Sequence, residues 1–90
     1  MAKTIELKDF LELIEAGNLE EVKAAIEQVA DINKADNYGD TPIHWACSKG
    51  YLEIVKFLIE KGADVNKANN PGWTPLYVAC YKGHLQIVKL

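Results

Sequence analysis

Sliding the sequence along itself by 33 positions lays Asn37-Tyr-Gly-Asp-Thr-Pro-Ile-His-Trp-Ala-Cys over Asn70-Pro-Gly-Trp-Thr-Pro-Leu-Tyr-Val-Ala-Cys. The same shift lays Lys49-Gly-Tyr-Leu-Glu-Ile-Val-Lys over Lys82-Gly-His-Leu-Gln-Ile-Val-Lys. Between residues 36–57 and 69–90, 12 of 22 positions are identical. Carried backwards, the offset pairs Ala30-Asp31-Ile32-Asn33-Lys34-Ala35 with Ala63-Asp64-Val65-Asn66-Lys67-Ala68, and Gly17, Leu19, Glu20, Val22 and Lys23 with Gly50, Leu52, Glu53, Val55 and Lys56. Such a period dictates architecture, because one short unit cannot bury its own apolar face and must stack on its neighbours. The chain divides into 1–35, 36–68 and 69–90, one domain without a separate linker.

Each unit reads as turn, helix, tight turn, helix. Asn37-Tyr38-Gly39-Asp40 and Asn70-Pro71-Gly72-Trp73 are turn clusters. Thr41 and Thr74 are predicted N-caps, each followed by a proline at the first helical position, where its missing N–H is harmless. Gly50 and Gly83 end the first helices through the left-handed conformation. A second helix is predicted over Leu52–Lys61, with Leu52, Ile54, Val55, Leu58 and Ile59 on one buried stripe.

A 33-residue period, the Thr-Pro-[Ile/Leu]-[His/Tyr]-x-Ala core, the central glycine and the closing Ala-Asp-Val-Asn resemble ankyrin repeats over essentially the whole chain. The resemblance implies an all-α solenoid of stacked helix-turn-helix units joined by β-turn or hairpin loops. The sequence departs from the pattern in four places. The first unit lacks Thr-Pro and His, Val29 stands where Gly62 stands in the next unit, Tyr77 replaces the histidine found at His44, and the third unit stops early. Two explanations cover that early stop: a piece cut from, or designed for, a longer array, or an end covered by another chain. In either case Leu85, Ile87, Val88 and Leu90 are expected on a frayed, partly exposed stripe. Leu85, Val88 and Leu90 are candidates for self-association.

Charge excludes several functions. The 90 residues carry net charge −3 and no arginine, so a phosphate-gripping basic face, and with it a nucleic-acid partner, is not expected. Residues 1–33 hold eight acids and three lysines, against five acids and seven lysines in 34–90. The acidic first unit reads as the polar cap of a stack, or as a docking site for a basic partner. No apolar stretch approaches the ~18–20 residues that span a bilayer, and the start at Met1 turns acidic within a few residues. An intracellular protein, cytoplasmic or nuclear, with no membrane partner is expected. Its two cysteines are expected to be buried free thiols: equivalent slots of stacked helices lie roughly 8–10 Å apart, too far for a disulfide.

Catalytic chemistry finds no foothold. Ser48 is the sole serine and no motif places an acid or base beside it. The glycines follow the repeat rather than forming a phosphate loop. His44-x-x-Cys47 and Cys80-x-x-x-His84 have helical metal-ligand spacing. By the resemblance, however, His44 bonds the Thr-Pro turn, the cysteines fill small-residue slots, and His84 sits in the inter-helix turn. No metal, cofactor or enzymatic activity is expected.

Positions that differ between similar units are free of the stacking role. By the resemblance, turn tips and first-helix faces line a concave groove for protein partners. The groove residues are then Asn37, Tyr38, Asp40, Ser48 and Lys49 from the second unit, and Asn70, Pro71, Trp73, Tyr81 and Lys82 from the third. Tyr77 and Trp45 are further groove candidates, and for Trp45 the core is the alternative. Tyr38 and Trp73 are expected to be near neighbours, either contacting a partner or covering one another.

Overall fold

Every first helix stops on a glycine in the left-handed conformation. The computed structural model describes residues 5–29 and 31–90. Met1–Thr4 and Ala30, read above as parts of the first unit, lie outside the described residues. Helix α1 spans Leu7–Ala16, α3 Pro42–Lys49 and α5 Pro75–Lys82. Their companions are α2 at Leu19–Ala25, continued by a 3-10 turn at Ile26–Gln28, α4 at Leu52–Glu60 and α6 at Leu85–Val88. No strand occurs among the described residues.

Thr41 and Thr74 cap α3 and α5, with proline next in both. Thr74 Oγ1 accepts the backbone N–H of Tyr77 at 3.2 Å. Asn18 does the same for α2, accepting from the Glu21 N–H at 3.2 Å. Gly17 and Gly50 close α1 and α3 with φ of 76°. Both also leave room for the next unit. A Cβ on Gly17 would stand 2.8 Å from Cζ of Tyr51, and one on Gly50 would stand 2.6 Å from Cε1 of His84.

These side chains are the rungs of the stack. The Tyr51 hydroxyl donates to the Glu15 carbonyl at 3.1 Å, and His84 Nε2 lies 3.0 Å from the Ser48 carbonyl. First helices pack side by side in the order α1, α3, α5, and second helices in the order α2, α4, α6. Between the two rows lies one apolar core, built on Phe10, Ile14, Val22, Ile43, Leu58 and Ile87. The connecting loops are tied too: the Asn33 side chain bonds Gly62 O and Asp64 N, and Lys67 Nζ reaches Asn33 O.

Three expectations are corrected. Ile87 is buried at 6% exposure, because α6, short as it is, lays this residue in the slot that Ile54 fills one unit earlier. Cys80 is exposed while Cys47 is buried. Cys47 is covered by α5, whereas no described helix lies over the equivalent side of α5. Ile59, expected on the buried stripe, is 40% exposed, because α6 ends at Val88 and does not cover that end of α4.

Candidate functional site

The turn tips are held by hydrogen bonds that the alignment alone does not reveal. Asp36 Oδ1 accepts the N–H groups of Tyr38 and Asp40, at 2.9 and 3.0 Å, and Asp36 Oδ2 accepts the Trp45 indole N–H at 3.2 Å. One unit on, Asn69 Oδ1 accepts the Trp73 N–H at 2.8 Å, and its amide donates to Asp40 Oδ1 at 2.9 Å. Asn70 binds the Tyr38 carbonyl through its backbone N–H and the Asn37 carbonyl through its side chain. Successive tips are therefore fixed to each other as well as to their helices.

His44 completes this frame from below. The Thr41 N–H donates to Nδ1 at 3.1 Å, so the ring proton sits on Nε2, which donates to the Trp73 carbonyl at 2.9 Å. Both ring nitrogens are thus occupied in a residue only 2% exposed. In the third unit Tyr77 takes the same slot and is exposed, its ring edge-on to Trp73 with centroids 5.0 Å apart.

Above the frame lies a hollow of about 330 Å³ crossing the first helices, with Trp45, Trp73 and Val78 as its apolar lining and Glu15, Asp40, Lys49 and Lys82 as its charges. Ser48 and Asn69 also line it. A neighbouring hollow of about 580 Å³ shares Trp45 and Glu15 and runs over α1 past Glu12 and Asn37. Trp45 is therefore half-buried and stands between two hollows. Its indole borders both hollows and its N–H is spent on the turn.

Of the groove residues expected from sequence, Asp40, Trp45, Ser48, Lys49, Trp73 and Lys82 come together here. Tyr81 borders the group, its ring 5.5 Å from that of Trp73. Asn37 lines the second hollow, while Asn70 and Pro71 are exposed on the tip. Tyr38 is separate. Its ring projects at 73% exposure, while the Trp73 ring turns to Tyr77 and Tyr81, so the two do not cover one another.

Glu15 and Val78 line the hollow although neither is among the residues expected there. Glu15 shares a repeat slot with Ser48 and Tyr81, and Val78 shares one with Trp45, so the same 33-residue shift carries the signal for both. At the far end, Leu85 and Leu90 are exposed and Val88 is half-buried. Val88 and Leu90 border an apolar cavity with Ile43, Cys47, Val55 and Leu76. Burial pushes the Cys47 thiol up to about 12. Among the described residues no group of three His, Cys, Asp or Glu side chains could hold a metal ion.

A family model for ankyrin repeats matches residues 11–90 in three copies. The chain belongs to the ankyrin-repeat family. Its helix pairs are ankyrin repeats, and such repeats generally mediate protein–protein interaction. The chain is also similar to protein phosphatase 1 regulatory subunit 27 from Homo sapiens and from Mus musculus, with 50% identity over 40 residues in each case. That match covers 44% of this chain and 26% of each relative, so the chain spans about a quarter of the length of the curated relatives it matches. Among the described residues no helix of this ankyrin array is long and apolar enough to cross a membrane.

Proposed function

We propose that the chain is a non-enzymatic interaction module whose units, 1–35, 36–68 and 69–90, hold a protein partner along the concave face. One observation carries the reading: both tryptophans of the chain line a single open hollow, and the exposed Tyr81 stands beside it. Aromatic side chains supply much contact area at low entropy cost, and they dominate the centres of interfaces. The partner contacts are Asp40, Ser48, Lys49, Trp73, Tyr81 and Lys82, with Asn37, Tyr38, Asn70 and Pro71 at the tips and Trp45 and Tyr77 flanking. The relatives are by name regulatory subunits, which favours binding over catalysis. Neither nucleic acid nor membrane belongs to this reading.

An affinity pull-down with the intact chain and Tyr81→Ala side by side tests it. Tyr81 is the clean probe because its ring is 68% exposed. Loss of the captured protein with an unchanged melting temperature supports the reading, and undiminished capture by Tyr81→Ala together with Trp73→Ala contradicts it.

Exposed Leu76 and Leu90 beside the apolar end cavity, with exposed Leu85 on α6, favour a second reading, self-association through the terminal unit. Light scattering over a concentration series separates the two: a strict monomer removes the assembly reading, and a concentration-dependent dimer supports it.

A further inference from the structure

Charges in the hollow between Trp45 and Trp73 are sorted by position. Asp40 lies at its tip edge, ahead of α3, with Oδ1 already accepting the Asn69 amide. Lys49 and Lys82 are the last residues of the two eight-residue helices α3 and α5. At about 1.5 Å per residue they stand roughly 12 Å from the tip edge. Val78 and Trp45 lie between, and Trp73, in the tip slot of the third unit, turns its ring along α5 towards Tyr77 and Tyr81. The hollow thus carries an apolar floor with two cations along one margin.

Glu15 is the carboxylate that one of those cations, Lys49, already meets. Its Oε1 lies 3.8 Å from Lys49 Nζ, both side chains being about half exposed at 51% and 43%. No carboxylate lies within 4 Å of Lys82 among the described residues. A long, exposed pair of this kind is weak and exchanges readily for another carboxylate.

Resting on the groove reading above, we propose that the protein segment bound here presents a carboxylate beside an apolar side chain, and that Glu15 competes with it for Lys49. The apolar side chain enters between Trp45 and Trp73 over Val78. The carboxylate takes the lysine margin, bridging Lys49 and Lys82 and releasing Glu15.

Both tryptophans of the chain line the hollow, so intrinsic fluorescence reads it directly. The probes are the peptides Ac-Gly-Leu-Leu-Glu-Glu-Gly-amide and Ac-Gly-Leu-Leu-Gln-Gln-Gly-amide, titrated into the intact chain and into Glu15→Gln and Lys82→Gln, with circular dichroism confirming that each variant is folded. The glutamate peptide is expected to give a saturable change and the glutamine peptide a weaker one. Glu15→Gln should tighten the glutamate peptide about two- to fivefold, Lys82→Gln should loosen it by a similar factor, and added salt should reduce the difference. An equal response to both peptides overturns the carboxylate and leaves the groove standing. No response to either also overturns the proposal, and the Tyr81→Ala pull-down, which uses no peptide, then decides the groove reading separately.

Discussion

His44 donates its Nε2 proton to the backbone carbonyl of Trp73, 2.9 Å away, so a buried side chain of the second repeat holds the tip of the third. The same imidazole accepts the Thr41 N–H, and helix start and inter-repeat contact therefore share one residue.

Replacing His44 with alanine removes both bonds at a buried position. The expected cost is about 1–3 kcal/mol, read from urea unfolding. Trp73 emission should shift as the tip loosens. A loss near zero would mean that the carbonyl and the N–H find other partners.

Glycine substitutions separate backbone strain from steric fit. Gly50 and Gly83 have nearly the same φ, 76° and 78°, but a Cβ meets His84 at the first and nothing within 4 Å at the second. Gly83→Ala should cost only the left-handed strain, about 1–2 kcal/mol. Gly50→Ala should cost more, because His84 must also move. Equal losses by thermal unfolding would contradict the wedge role of His84.

The cysteines should differ in reactivity. Cys80 is exposed, whereas burial holds Cys47 at about 12, so at neutral pH a maleimide should modify one thiol per native chain, at Cys80. The second should react only on unfolding. Because folding raises the Cys47 value, its contribution to stability is complete below the unfolded-state range near pH 9 and is lost as pH rises towards 12. Cys47→Ala should flatten that part of the alkaline stability curve, and labelling of both thiols in the native state would contradict the burial.

Much of this fold is legible in the sequence because repetition supplies its own alignment. Thr41-Pro42 and Thr74-Pro75 mark helix starts, and Gly50 and Gly83 mark ends. Tyr51 and His84 differ between units, which reads as freedom from the stacking role, yet both side chains bond the preceding unit. What depends on the neighbouring unit is less legible. Cys47 and Cys80 are the same residue in the same slot, yet only one is covered. Ile87 is buried although its helix is a single turn, because α4 supplies the surface that it meets. The direction of a ring is harder still. Tyr38 and Trp73 lie on adjacent tips, but their backbones, not their rings, carry the contacts between repeats.

The concave groove as the partner-binding face is the central claim, and site-specific photo-crosslinking tests it most directly. A benzophenone side chain placed at Ser48 or Tyr81 looks into or beside the hollow, and one placed at exposed Lys56 on α4 lies on the other helix row. With the captured partner present, adducts should form from Ser48 and Tyr81 and not from Lys56. Adducts from Lys56 alone, or equally from all three, would contradict the account.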